Sequence, residues 1–209
     1  MNWIDISVEL SQDVAEWPGD TPFSFTLPVT KAESGSVNIG RLEMSTHIGT
    51  HIDAPFHFDN GGRTVEALDI DNYIGIATII DLENIEKITR ESLEVFKITG
   101  HILLIKTGAA NDKSAFPKDV PTLTQDAIDY LAENSVRLFG IDVPSVDKIT
   151  SKTLDVHHAL HERDIMIIEN IVLDDVTPGV YDFIALPLKI KGADGSPVRA
   201  VIKPKGELL

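Results

Sequence analysis

Ile76-Ala77-Thr78-Ile79-Ile80-Asp81-Leu82 and His101-Ile102-Leu103-Leu104-Ile105-Lys106-Thr107 are the two stretches that decide the class of fold. Each is a short run of Ile, Leu and β-branched residues with few polar interruptions. A strand covered on both faces has this composition, whereas a half-exposed strand alternates apolar with polar residues. Working outward, further strands are expected at Trp3–Leu10, Val37–Met44, Val136–Val143, Asp164–Ile171, Asp182–Ile190 and Val198–Lys203. Pro and Gly punctuate them at Pro18-Gly19, Gly61-Gly62, Pro117, Pro121, Pro178-Gly179 and from Gly192 to Pro197. Helical signals are fewer. The best is Thr124–Asn134, where Thr124 is placed to cap and Ala127, Ile128 and Leu131 share a face. Thr89–Phe96 and Thr150–His161 are shorter candidates. The expectation is an α/β fold of the β-rich, β/β/α kind, built as a single domain over residues 1–209.

Composition narrows the chemistry. The chain carries 33 acidic and 18 basic residues, a formal net charge of -15. Such a surface repels phosphate backbones and anionic lipids, so neither nucleic acid nor membrane is expected as a partner. There are no cysteines, which removes disulfides and thiolate metal sites. Any metal must then be held by histidine, carboxylate or carbonyl oxygen. The start, MNWIDISVEL, has no basic region followed by a long apolar run, and no stretch reaches the ~18 apolar residues of a membrane span. A cytoplasmic location is expected.

Six of the seven histidines fall in two clusters. The first is His47-Ile48-Gly49-Thr50-His51-Ile52-Asp53-Ala54-Pro55-Phe56-His57. Every candidate ligand is at an odd position, so a strand would point them all to one face. A straight strand, however, would hold the Cα atoms of His47 and His51 about 13 Å apart, too far to share an ion bonded at ~2 Å. The chain is expected to bend at Gly49, in a tight loop next to a strand. His57, flanked by Phe56 and Phe58, is either a ligand or a proton carrier beside the metal, a task that suits imidazole as a side-chain type. The second cluster is His157, His158 and His161. In a helix, His157 and His161 share a face and His158 turns away. Glu169 is the charged residue in the middle of the apolar run DIMIIENI. Buried carboxylates are rare unless paired or metal-bound, so it is a ligand candidate; pairing with a basic residue is the alternative.

His47-x-Gly49-Thr50-His51-x-Asp53-x-Pro55-x-His57 resembles the signature of the cyclase-type metal hydrolase family, which includes bacterial kynurenine formamidase. The resemblance extends to Trp17-Pro18-Gly19-Asp20, to GIDVPSVD at Gly140–Asp147, and to the run from Glu162 to Leu188. It implies two zinc ions per chain, with manganese or another divalent metal as a substitute. His47, His51 and Asp53 would bind the first ion. Asp53 and Glu169 would bridge both, and His157 would complete the second, with His158 as the neighbouring candidate. His57 matches the family's general acid/base and Trp17 its substrate-contacting aromatic residue. The implied fold is a β-rich sandwich-like core flanked by helices, assembled as a homodimer or higher oligomer. The implied reaction is hydrolysis of N-formyl-L-kynurenine to formate and L-kynurenine. A sister activity on a cyclic amide, imide or isatin-like ring, or a purely structural metal site, are the competing expectations.

Overall fold

The computed structural model describes residues 2–205. Its strands are β1 (Ile4–Asp5), β2 (Ser24–Val29), β3 (Ile39–Glu43), β4 (His51–Asp53), β5 (Ile74–Asp81), β6 (Lys87–Ile88), β7 (Ile102–Lys106), β8 (Thr122–Leu123), β9 (Leu138–Ile141), β10 (Met166–Glu169), β11 (Gly179–Ile184), β12 (Gly195–Pro197) and β13 (Val201–Pro204). The helices are α1 (Lys31–Ser34), α2 (Arg90–Glu94), α3 (Gln125–Glu133) and α4 (Asp155–His161).

Nine strands form one sheet in the order β1-β13-β11-β5-β7-β9-β10-β4-β12. β5, β7, β9 and β10 are mutually parallel and lie at its centre. They are the apolar runs of the sequence, and alternation sorts their side chains to two cores. Ala77, Ile79, Ile102, Leu104 and Ile168 face one core. Ile80, Leu103, Ile105 and Ile167 face the other, with Leu93 of α2, Leu131 of α3 and Leu160 of α4. Each fully buried Ile or Leu contributes roughly 1.5–3 kcal/mol, so the centre of the sheet anchors the fold from both sides.

The sheet is curled. Ile52 of β4 and Ile202 of β13 come from opposite ends of the strand order, yet meet in the same core with Phe183 of β11 and Ile6. The curl gives the sandwich-like character and closes around that core. The chain ends of the curl are tied by backbone bonds from Ile6 N to Ala200 O (3.0 Å) and from Val172 N to Ile6 O (2.8 Å).

Several expected elements are displaced for local reasons. Only Ile4–Asp5 of the first run pairs, because Ser7 and Val8 turn to meet Ala200 and Thr50. The strand expected at Asp182–Ile190 ends at Ile184, ahead of Pro187, and begins earlier, at Gly179. Thr124 occupies the N-cap position of α3, but its hydroxyl donates to Ile88 O (3.1 Å) and to Asp126 instead of capping the helix backbone. The helix expected from Thr150 starts only at Asp155, because Leu154 adopts a left-handed conformation (φ 49, ψ 48). By contrast Thr89 caps α2 in a reciprocal box with Ser92.

β2 and β3 form a separate two-stranded hairpin between Asp20 and His47. Its apolar residues Phe25, Leu27, Ile39 and Leu42 are 45–55% exposed. Phe25 pairs across from Leu42, and its ring covers Gly40, where a Cβ would come within 2.4 Å of Cε2. Among the described residues no helix is long and apolar enough to cross a membrane.

Candidate metal centre

The site lies at the C-terminal end of β10, where strand register brings the two sequence clusters together. β4 runs antiparallel to β10 and places His51 opposite Glu169, and Asp53 opposite Ile167. Ile52 and Ile168 point into the core, so His51, Asp53 and Glu169 project together from the other face. The bend occurs at Gly49, in the left-handed region at φ +65, with Leu10 Cδ2 2.6 Å from where a Cβ would sit. The loop therefore precedes the strand: His47 lies in the turn, and β4 carries His51 and Asp53. After Asp53 the chain enters a single 3-10 turn, Pro55–His57, which returns His57 to the same cavity. His157 arrives from α4.

Distances among these groups match donors that share an ion. Two ligands bonded at ~2.1 Å in a tetrahedron are about 3.4 Å apart. His51 Nε2 is 3.5 Å from both Asp53 Oδ1 and Glu169 Oε2. His157 Nε2 is 3.5 Å from Asp53 Oδ2 and 3.7 Å from Glu169 Oε1. His47 Nδ1 is 3.0 Å from Asp53 Oδ1. The two oxygens of each acid thus face different histidines. Asp53 Oδ2 is buried and has no hydrogen-bond partner, a costly state for a carboxylate oxygen unless a cation completes it. His47, Asp53 and His57 form one group able to hold an ion, and His51, Asp53 and Glu169 another.

The imidazoles of the cluster are also held from behind. His51 Nδ1–H donates to Gly49 O (2.9 Å), and His157 Nδ1–H to Asp147 Oδ2 (2.7 Å). Both bonds fix the tautomer and leave Nε2 toward the acids. His47 Nε2 lies 3.1 Å from Asp194 Oδ2. Asp194 in turn accepts from Thr46 Oγ1 (2.9 Å) and approaches His57 Nδ1 at 3.8 Å. The donor set, its spacing and its orphaned oxygen fit a divalent metal.

Charge follows the same geometry. Burial disfavours a charged His47, but hydrogen bonds to Asp194 and Asp53 outweigh it and push the ring up to about 10. His157 rises to about 10 likewise, with burial opposed by Asp147 and Asp53. Burial would raise Asp53, yet the His157 and His47 rings beside it hold it well below the usual carboxylate range. The hydrogen bond from His47 and the nearby His57 ring depress Asp194. In the metal-free protein the raised imidazoles give stability that is complete below pH 6.5 and lost as pH rises through about 10. The same protons must leave before metal binds, so affinity weakens as pH falls. Loading at pH 8 is expected to release about two protons per chain. Calorimetry in buffers of different ionisation heat reads that number, and no release would contradict the ligand assignment.

A cavity of about 380 Å³ opens onto the cluster, walled by Trp17, Asp20, Phe116, Ser145, Leu154 and Asn170. Trp17-Pro18-Gly19-Asp20 is a β-turn closed by Asp20 N–H donating to Trp17 O (2.9 Å), with Gly19 at φ +92. Trp17 rests edge-on against Phe116, ring centroids 5.1 Å apart. His57 lies on the rim, its side chain 31% exposed and its ring 4.0 Å from that of His47.

Trp17, His47, His51, Asp53, His57, His157 and Glu169 therefore converge. His158 and His161 do not join them; their rings pack on Phe58 at 5.2 and 5.7 Å. His101 is elsewhere, against Gly75. Among the described residues Glu169 pairs with no Lys or Arg; it faces His51 and His157 and accepts Val146 N–H (2.9 Å). The sequence reading missed Asp147 and Asp194. Asp147 sits inside the quoted GIDVPSVD, but nothing in its spacing marks it. Asp194 lies in a Gly- and Pro-rich stretch that reads only as a turn.

A sheet-borne cluster of histidines and carboxylates, open to a cavity, defines a metal-dependent hydrolase. The chain belongs to the Cyclase family, whose model ("Putative cyclase") matches residues 4–148. The kynurenine formamidase of Bacillus thuringiensis subsp. konkukian (strain 97-27) is 53% identical over 203 residues, 97% of each chain. That of Geobacillus thermodenitrificans (strain NG80-2) is 52% identical over 205 residues, 98% of each. Among solved structures, a "Potential Metal-Dependent Hydrolase With Cyclase Activity" superposes with a TM-score of 0.84 at 26% identity, covering 98% of both chains. The isatin hydrolase A of Ralstonia solanacearum shares the fold, with a TM-score of 0.81 at 22% identity over 98% of this chain and 92% of that one.

Proposed function

We propose that this protein is a kynurenine formamidase, an arylformamidase that hydrolyses N-formyl-L-kynurenine to L-kynurenine and formate, acting as one domain over residues 1–209. The observation that carries this reading is the near-full-length similarity to Bacillus and Geobacillus kynurenine formamidases, joined to a site whose ligand spacings suit a metal hydrolase.

Two zinc ions per chain are the proposed complement, held by His47, His51 and Asp53 on one side and His157 on the other, with Asp53 and Glu169 bridging. Charge balance favours two. Asp53, Asp147, Glu169 and Asp194 bring four negative charges around the ligand imidazoles, and no Lys or Arg is among the cavity-lining residues. Two dications neutralise four carboxylates while the imidazoles stay neutral. Such ions supply Lewis acidity, lowering the pKa of water from about 15.7 to about 7 and drawing charge from a carbonyl oxygen.

The chain's own residues do the rest. Trp17 presents its ring across the cavity to the substrate's aryl group, an aromatic contact worth ~0.5–1.5 kcal/mol beyond the area buried. Trp17→Ala is expected to raise KM for N-formyl-L-kynurenine roughly three- to tenfold while leaving kcat nearly unchanged; an unchanged KM would remove Trp17 from the substrate site. The aniline nitrogen leaves poorly as an anion. His57, at the rim and in reach of solvent protons, delivers the proton it needs. The walls of Trp17, Phe116 and Leu154 limit water around the scissile bond.

The working unit is proposed to be a homodimer in the cytoplasm. An isolated two-stranded hairpin is marginal in water. This one leaves Phe25, Leu27 and Leu42 uncovered, and a second copy would cover them. Sedimentation should give a mass about twice 22.9 kDa; a monomer at micromolar concentration argues against it.

Substrate comparison tests the activity. Turnover of N-formyl-L-kynurenine should exceed that of isatin or a cyclic imide by orders of magnitude. The reverse ranking would favour a ring-opening hydrolase.

A further inference from the structure

We propose that Asp147 is the positioning residue of the His157 metal site, and that the segment Ser145-Val146-Asp147 orders both His157 and Glu169 from outside. This rests on the two-ion reading above.

Asp147 is 4% exposed and follows β9 by six residues. Its Oδ2 accepts the 2.7 Å hydrogen bond from His157 Nδ1–H. The same carboxylate accepts the backbone N–H groups of Val156 (3.1 Å) and His157 (3.0 Å). One residue earlier, Val146 N–H donates to Glu169 Oε1. Ser145 Oγ steadies the segment by accepting Asp147 N–H (3.1 Å). Two ligands from α4 and β10 are thus aligned by one loop that contributes no ligand itself.

Helix α4 explains why an outside acid is needed. Its own N-cap residue, Leu154, has no polar side chain and makes no capping bond. Leu154 also holds a left-handed conformation, which is unfavourable for a non-glycine residue. Strain of this kind persists where the surroundings over-determine it. Here Asp147 is the remote cap that fixes the first turn, and with it the ring of His157.

The consequence is electronic as well as geometric. A carboxylate behind an imidazole raises its basicity toward a metal. His157 has this charged backing, whereas His51 is backed by the neutral carbonyl of Gly49. The His157 side of the centre therefore depends on Asp147 in a way the His51 side does not.

The test is Asp147→Asn in the zinc-loaded holoenzyme. Asn keeps the size of Asp and its capping ability, and removes the charge. Chelator competition should find one ion bound about 10–100-fold more weakly and the other unchanged. Helix content should be preserved. Two affinities equal to wild type would overturn the proposal, as would a lowered Tm with both affinities intact, which marks a purely structural role. A second measurement needs no variant. Histidine ¹⁵N spectra of the zinc-loaded wild type should place the His157 proton on Nδ1, with a downfield N–H resonance; an unprotonated Nδ1 would overturn the assignment even if the variant failed to fold. A wild-type protein that binds only one ion defeats the two-ion reading instead, and the Nδ1 proton then decides the role of Asp147.

Discussion

Asp53→Asn is expected to strip the protein of bound metal and to lower kcat/KM for N-formyl-L-kynurenine by about four orders of magnitude or more, as water near the site returns toward its ordinary pKa of about 15.7. Asp53 stands within 3.5 Å of three imidazoles. Asp53 Oδ1 lies 3.0 Å from His47 and 3.5 Å from His51, and Oδ2 lies 3.5 Å from His157. The residue is 3% exposed, so water cannot replace the lost charge. Asparagine keeps the shape but offers one oxygen where two are used, and it is neutral. Elemental analysis and a formate assay on the same sample check both halves. A variant that keeps its full metal content and more than a tenth of the activity would contradict the bridging role.

His57→Ala should behave differently. It is expected to keep the metal and lose about 10²- to 10⁴-fold in kcat, the usual contribution of one general acid–base group. His57 is the most exposed of the clustered first-motif histidines, and the acid it approaches is Asp194, at 3.8 Å, at the cavity rim. That position suits exchange of protons with solvent. His47, Asp53 and His57 are nevertheless close enough to hold an ion, and metal content separates the two roles. Loss of one equivalent of metal together with the activity would make His57 a ligand; full activity would remove it from the chemistry.

The two kinds of residue differ in how they appear in the sequence. β5, β7, β9 and β10 were legible because burial on both faces forces continuous apolar runs, and both cores they divide are real. β4 and β12 were not legible. Each is three residues long, one His51, Ile52 and Asp53 and the other Gly195, Ser196 and Pro197, so neither carries a strand's composition. β2 contains Pro28 and escapes notice for the same reason. In the site, His47, His51, Asp53 and His57 announce themselves by crowding, and Glu169 by being charged within an apolar run. Asp147 and Asp194 are single acids in loops, one among 33 acidic residues each. Only tertiary structure, which places Asp147 behind His157 and Asp194 beside His47, gives them meaning.

The most direct test of metal-dependent arylformamidase activity is formate release from N-formyl-L-kynurenine by one purified sample, measured as isolated, after chelation, and during titration with zinc. The account predicts activity that disappears with the metal and returns in full at about two equivalents per chain. Absence of formate from the fully loaded protein, or activity indifferent to chelation, would contradict it.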